Sequence, residues 1–99
     1  MDIKIHSLRF DADIKLLEFI HSKIEKLNLF FDDILSVEIW LRLDRSQDLE
    51  NKLTEIKLTL PGAELFAKKQ SRTFEEATDL AIEALRRQIH KHKGKLKRA

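Results

Sequence analysis

The chain has 99 residues, of which 42% are hydrophobic and 36% charged, with two Gly, one Pro and no Cys. This length suits one domain with a single two-layer core, and this composition is that of a folded domain rather than a disordered tail. The lack of Cys excludes disulfides, thiolate nucleophiles and thiolate metal ligands. No apolar run approaches the roughly 20 residues that cross a membrane, and the first residues lack the layout of a signal peptide. We therefore expect a mature cytoplasmic protein whose single domain spans residues 1–99.

The modest net charge of +2 hides a strongly uneven distribution. Residues 86–99 contain seven of the nineteen Lys and Arg and none of the seventeen Asp and Glu. Basic segments of this density favour a polyanionic partner, either nucleic acid or an acidic membrane surface. The alternative is a solvated helix end, because basic residues in a last turn stabilise the helix dipole. That alternative explains two or three basic residues well, and seven poorly.

The first 28 residues predict a strand followed by a helix. Ile3 and Ile5 alternate with polar residues over residues 2–8, which is typical of a strand with one buried face. Asp11 or Asp13 can then cap a helix that runs to about residue 28. The predicted core stripe of this helix, at helical spacing, consists of Ile14, Leu17, Ile20, Ile24 and Leu27.

Three strands follow, and a tight turn pairs the last two antiparallel. Alternation predicts the first of them from about residue 34 over ten residues, and the next over about residues 52–60. Pro61 and Gly62 suit the central positions of a type II turn, so a fourth strand over about residues 63–69 pairs back. The predicted inward positions of the two longer strands are Val37, Ile39, Leu41 and Leu43, followed by Thr54, Ile56, Leu58 and Leu60.

A final helix starts at residue 73 and carries most of the basic segment. Thr73 caps it, and Glu76 completes a capping box three residues later. Its far side carries Arg86, His90, Lys93 and Lys97. The predicted buried arc consists of Phe74, Ala77, Leu80, Ala81, Ala84, Leu85, Gln88, Ile89, His92 and Leu96.

The order of these elements predicts an α+β fold. It is a two-layer β-α-β-β-β-α domain, in which two helices lie on one face of a four-stranded sheet. The strand that leads into the last helix ends in a second basic cluster of Lys68, Lys69 and Arg72, close to the basic segment.

Two aromatic residues fall on predicted polar faces. Phe19 lies with Lys15, Lys23 and Lys26 on the first helix, and Trp40 lies on the polar side of the second strand. Each could contact a nucleic-acid base or a partner. We favour packing for both. Phe19 would pack under a neighbouring loop, and Trp40 would pack across the strands beside Arg42 or on a sheet face covered by a loop.

The residues needed for catalysis are missing from these patterns. His90 and His92 point to different sides of a helix, and neither His6 nor His21 has an acidic partner at a suggestive spacing. No three or four ligands converge at metal-site spacing, and two isolated Gly cannot form a phosphate loop. We expect a binding protein without catalytic residues, cofactor, metal or small-molecule substrate.

Two stretches resemble a known bacterial family. They are Ser22-Lys-Ile-Glu-Lys-Leu27 followed by Phe31-Asp32, and Ile89-His-Lys-His-Lys-Gly-Lys-Leu-Lys97. The second is similar to the signature ending of the ribosome hibernation promoting factors, also called ribosome-associated translation inhibitors or sigma modulation proteins. The resemblance extends over essentially the whole chain in length and element order. The short type is the nearest match, because long members add a dimerising C-terminal domain.

This resemblance implies a fold similar to double-stranded RNA-binding domains and a function in translation. Members of the family occupy the messenger and transfer RNA channel of the small ribosomal subunit and keep idle ribosomes inactive. The expected partners are the small subunit and its rRNA, with a separate factor if ribosomes become paired; we expect no membrane contact and a monomer when free. Together with the cluster on the fourth strand, the implied RNA-binding residues are Lys23, Lys26, Lys68, Lys69, Arg72, Arg86, Lys91, His92, Lys93, Lys95 and Lys97.

Two other functions also fit the residues. The first is a general binder of duplex RNA, which such a fold would permit. The second is a protein-interaction module, whose basic helix docks an acidic partner with Phe19 and Trp40 as anchors.

Overall fold

A computed structural model describes residues 1–46 and 49–97, and of residues 94–97 it describes the backbone alone. The predicted α+β fold, with its β-α-β-β-β-α order, is confirmed. In the described part of the chain, neither helix is long and apolar enough to cross a membrane. The elements are β1 (Asp2–Ser7), α1 (Ile14–Phe30), β2 (Ser36–Leu43), β3 (Lys52–Leu60), β4 (Ala63–Ser71) and α2 (Phe74–Lys97).

The four strands form one mixed sheet in the order β1-β2-β3-β4. β1 and β2 are parallel, so the chain must cross over between them, and α1 forms that crossover on one face of the sheet. The other two pairs are antiparallel, and Ile39 lies opposite both Ile5 and Ile56. Gly62, with a φ of +76°, supplies the left-handed residue that the predicted turn between β3 and β4 requires.

Alternation along the strands separates an apolar inner face from a polar outer face. Val37, Ile39 and Leu41 on β2 are almost fully buried, as are Ile56 and Leu58 on β3. These residues join buried residues of both helices in one core cluster, so both helices cover the inner face. The prediction for Leu43 was wrong: this residue is exposed, because it ends β2 beyond the cover of the helices.

The predicted core stripe of α1 was wrong at its first position. Ile14 is 68% exposed, whereas Leu16 is buried with Ile20, Ile24 and Leu27. Asp13 caps the helix by accepting a hydrogen bond from the Lys15 backbone N–H at 2.8 Å, so Ile14 is the first helical residue. At that end of the helix its side chain faces solvent.

Phe19 is half-buried and packs against the core cluster, with the Lys23 ammonium 5.3 Å from its ring centroid. Phe19 therefore packs within the fold, with the core cluster as its partner, and its predicted position under a loop stays a prediction. A cation over the ring face adds a further favourable contact to this packing.

The buried arc of α2 differs from the predicted one. Thr78 and Ile82 are buried, whereas Leu80 is 38% exposed. Thr78 tolerates burial because its hydroxyl lies 3.4 Å from that of Thr54 on β3, which provides a hydrogen-bond partner. Ile82 turns towards α1. The predicted cap is present, since Thr73 Oγ1 accepts a hydrogen bond from the Glu76 N–H at 3.0 Å.

Two isoleucines on α1 test this description of the core. Ile20→Ala removes a fully buried side chain, so we expect it to lower the free energy of unfolding by about 2–5 kcal/mol. Ile14→Ala, on the same helix, removes a side chain that is 68% exposed, so the change should stay within about 0.5 kcal/mol. Urea denaturation followed by circular dichroism measures both. Equal losses in the two variants would contradict the assigned core.

Candidate nucleic-acid interface

A groove between α1 and α2 brings basic side chains of the two helices together. It encloses about 630 Å³ and is lined by Lys23 and Lys26 from α1 and by Arg86, Arg87 and His90 from α2. Lining residues recur every three or four positions on each helix, which places them on one side of it. The groove exists because both helices bury their apolar sides on the same sheet face, so their polar flanks meet.

Two Phe rings at the end of α1 hold the basic side chains of α2. The Arg86 guanidinium lies 5.1 Å from the centroid of Phe30, and the Lys93 ammonium lies 4.9 Å from that of Phe31. His90 meets the Phe31 ring edge to face at 5.3 Å. A ring face attracts a cation but satisfies none of its N–H donors. The rings therefore orient these cations and leave their N–H groups free to bind an anion.

Acidic residues in the groove form only weak ion pairs. Lys23 Nζ lies 3.3 Å from Asp79, and Arg87 lies 3.5 Å from Glu83 one turn earlier on α2. Each of these side chains is more than a third exposed, and ion pairs in such positions contribute roughly 0–1 kcal/mol. A phosphate can therefore replace either carboxylate at low cost.

The structure brings only part of the predicted RNA-binding set together. Lys23, Lys26 and Arg86 line the groove, and Lys93 lies about one turn beyond His90 at its end. Lys91 is exposed but lies about 200° around the helix from Lys93. It therefore points away from α1.

His92 is half-buried and is not among the described residues that line the groove. The side chains of Lys95 and Lys97 lie outside the described residues.

The basic cluster of β4 lies apart from the helix groove. Lys68 is opposite Glu55 and points to the outer face of the sheet. Lys69 is opposite the buried Thr54 and reaches solvent at the edge of the sheet, and Arg72 is exposed after the strand ends. Alternation sends consecutive residues of a strand to opposite faces, so the three do not share one surface with the helices.

Sequence reasoning missed a second basic group, on the outer face of the sheet. Arg9, Arg42 and Arg45 line a cavity of about 530 Å³ together with Lys68. Arg42 and Arg45 are close in sequence, but Arg9 and Lys68 are distant from them and from each other, and strand pairing brings them together. The position of Arg42 on the polar side of β2 was the one signal available in the sequence.

Trp40 packs across the outer face, in agreement with the favoured prediction. It is opposite His6 on β1, and the two rings stack with centroids 5.7 Å apart. His6 Nε2 also lies 2.7 Å from Glu38 Oε2. This hydrogen bond is the main cause that lowers the pKa of Glu38 below its usual 4.5; desolvation opposes it and the Lys57 ammonium adds to it.

A sheet covered by two helices on one face, with a cationic groove between those helices, defines a small α+β binding domain. The family model described as "Sigma 54 modulation protein / S30EA ribosomal protein" matches residues 3–97. The chain belongs to this family. The predicted family is thereby confirmed, and with it the prediction of a binding protein rather than an enzyme.

Curated relatives of similar length share this family. The chain is 32% identical over 95 residues to a ribosome hibernation promoting factor of Azotobacter vinelandii, covering 96% of the chain and 85% of that protein. It is 30% identical over 97 residues to the ribosome hibernation promoting factor of Klebsiella oxytoca, covering 98% of each. The identity and both coverages are the same for the protein of that name in Escherichia coli K12.

Solved structures show the same fold. A ribosomal subunit interface protein from Coxiella burnetii superposes with a TM-score of 0.85 at 23% identity, covering 95% of this chain and 99% of that one. The N-terminal domain of Protein Y from Thermus thermophilus gives a TM-score of 0.79 at 20% identity, covering 93% and 99%.

The lowered pKa of Glu38 predicts a pH-dependent contribution to stability. When folding lowers the pKa of a carboxyl group, its charged form stabilises the fold at pH values above the pKa of the unfolded state. This stability is lost as pH falls through the pKa of the folded state. Glu38→Gln should therefore lower the free energy of unfolding at pH 7, and the difference from wild type should shrink as pH falls below about 4.5. Urea denaturation between neutral and acidic pH measures this difference.

Glu64→Gln is the matched control for Glu38→Gln. Its carboxylate lies 3.7 Å from the same Lys57 but is 64% exposed, so we expect little change at any pH. A Glu38→Gln difference that stays constant as pH falls would contradict the stabilising role of the charged carboxylate.

Proposed function

We propose that this chain is a cytoplasmic ribosome hibernation factor. It binds the small ribosomal subunit in the channel used by messenger and transfer RNA, and so inhibits translation in idle cells. The curated relatives, each named a ribosome hibernation promoting factor, support the biological role. The observation that carries the proposed contact is the groove of Lys23, Lys26 and Arg86 between the helices, extended by Lys93.

The proposed mechanism is occupancy of an RNA-walled channel. Lys and Arg of the groove neutralise rRNA phosphates, and release of the counterions held by those phosphates drives association. Phosphate contacts fix position and orientation without reading bases. A folded domain held in this way excludes messenger and transfer RNA sterically, so no bond needs to be made or broken.

The remaining predicted residues have secondary roles in this proposal. Lys91 and His92 add rRNA contacts from other sides of α2. For Lys95 and Lys97, whose side chains lie outside the described residues, rRNA contacts stay a prediction from the sequence. Lys68 on the outer face, Lys69 at the sheet edge and Arg72 after the end of β4 contact parts of the rRNA outside the groove. We propose that residues 1–99 act as one ribosome-binding domain, monomeric when free, and that any pairing of ribosomes uses a second factor.

Neutralising the groove tests this proposal. In the variant Lys26→Gln/Arg86→Gln/Lys93→Gln, we expect affinity for small ribosomal subunits to fall at least about 10-fold. The slope of log affinity against log salt concentration should become shallower by roughly 2–3. Co-sedimentation with purified subunits at several salt concentrations measures both. A plain RNA duplex serves as the comparison ligand, since equal affinity for it would favour a general duplex binder.

The matched control removes the same charge elsewhere. Lys4→Gln/Lys52→Gln/Lys57→Gln neutralises three basic residues of the sheet that lie outside the groove. We expect it to bind small subunits within about 3-fold of wild type, because long-range charge effects are screened beyond roughly 10 Å. Equal losses in the two triple variants would contradict a contact through the helices.

A further inference from the structure

The cationic cavity on the outer face continues into an aromatic one. The basic part is lined by Arg9, Arg42, Arg45 and Lys68, and among the described residues Asp44 is the carboxylate that lines it. A neighbouring cavity of about 260 Å³ is lined by Trp40, Phe66 and Glu55, and it shares Leu8 and Arg42 with the first. The two together form a continuous site on the sheet face that the helices leave uncovered. This site is hereafter called the outer-face site.

Arg42 and Asp44 give the basic part of this site a defined geometry. Arg42 donates a hydrogen bond from Nη2 to Glu55 Oε1 at 3.0 Å, which fixes the guanidinium between the two cavities. The Asp44 carboxylate accepts hydrogen bonds from the Ser46 hydroxyl and backbone N–H, at 2.6 and 3.1 Å. These bonds hold the carboxylate against Ser46, and basic side chains outnumber it among the described residues that line the cavity.

The backbone at Arg9 is an independent sign of function. Its φ of +66° lies in the left-handed region, and no other non-glycine residue of the described chain has a positive φ. A side chain with a Cβ atom is disfavoured there, and such residues concentrate at binding and active sites. In this conformation the chain leaves β1 with Arg9 at the rim of the basic cavity.

The aromatic part offers exposed ring surface. Phe66 is 49% exposed on the edge strand β4, and Trp40 is half-buried on β2 with its ring stacked on His6. Aromatic side chains on an open sheet face stack on unpaired bases, and basic residues beside them track the phosphates. A duplex cannot supply such a base, because its bases are already stacked and paired.

We infer that the outer-face site binds a single-stranded RNA segment. The phosphates contact Arg9, Arg45 and Lys68, and one base stacks in the cavity between Trp40 and Phe66. The proposed function also gives Lys68 an rRNA contact, but the rest of this surface is separate from the helix groove. The inference therefore goes beyond the groove contact and does not depend on it.

The single Trp of the chain provides a direct test. Titrating the full-length protein with an oligouridylate of about six nucleotides at low salt should quench Trp40 fluorescence to saturation. Added salt should weaken this binding. The variant Arg9→Gly/Arg45→Gln/Lys68→Gln should lower the affinity by about 10-fold or more; Gly at position 9 keeps the left-handed backbone while removing the charge.

Two further variants measure the contributions of base stacking and of the helix groove to oligouridylate binding, apart from the charge of the outer-face site. Phe66→Ala should lower the affinity by roughly 10-fold, because it removes one stacking surface. Lys26→Gln/Arg86→Gln/Lys93→Gln should change the affinity read from Trp40 quenching by less than about 3-fold at about 0.1 M salt, because those residues lie on the other side of the sheet and charge effects are screened beyond roughly 10 Å. The two tests are therefore independent: the groove variant can leave ribosome affinity intact while oligouridylate binding at the outer-face site is confirmed, and the opposite pair of results can also occur.

Three results would overturn the inference. The first is no quenching by the oligouridylate at low salt. The second is equal quenching in the wild type and in the Arg9→Gly/Arg45→Gln/Lys68→Gln variant, when circular dichroism shows that both proteins are folded. The third is saturation by uridine monophosphate at the same concentration as the oligonucleotide, which would identify a free nucleotide rather than an RNA strand as the ligand.

Discussion

Burial of the inner sheet face is the constraint on which the rest of the structure depends. Val37, Ile39, Leu41, Ile56 and Leu58 are each at most 1% exposed. One helix about 10 Å wide cannot cover four strands spaced almost 5 Å apart, so two helices must lie side by side. The polar flanks of those helices then face each other, and Lys23 and Lys26 meet Arg86 in a groove that neither helix could form alone.

The aromatic residues at the end of α1 link this packing to the charge of the groove. Phe31 is 5% exposed and belongs to the core, whereas Phe30 is 59% exposed. Both rings nevertheless lie under cations of α2. The same residues thus close the core and orient Arg86 and Lys93. Because a ring leaves the N–H donors of a cation unused, this arrangement prepares the basic surface for phosphate without neutralising it.

Much of this fold could be predicted from the sequence. Alternation identified the inner residues of β2 and β3, and Asp13 and Thr73 marked the helix starts, because these signals depend on local geometry alone. The errors at Ile14, Leu43 and Leu80 have one cause. Each is apolar at a position that the local period marks as buried, but whether a second layer covers it depends on tertiary packing.

The candidate site was less predictable than the fold. The basic run at the end of the chain led to Arg86 and Lys93, but the sequence did not show that Lys91 points away from α1 or that Lys68 lies on the opposite sheet face. Arg9, Arg42 and Arg45 come together only through the pairing of β1, β2 and β3 and the loops that follow the strands. No spacing rule along the chain connects such residues.

Chemical labelling of lysines in the complex with the small ribosomal subunit tests the central claim most directly. The free protein and the complex are treated with an amine-acetylating reagent, and each lysine is quantified by mass spectrometry. If the groove between the helices is the contact, Lys23, Lys26 and Lys93 become protected on binding while Lys4 and Lys57 on the sheet keep their reactivity. Undiminished labelling of the groove lysines in a protein that remains bound would contradict the account.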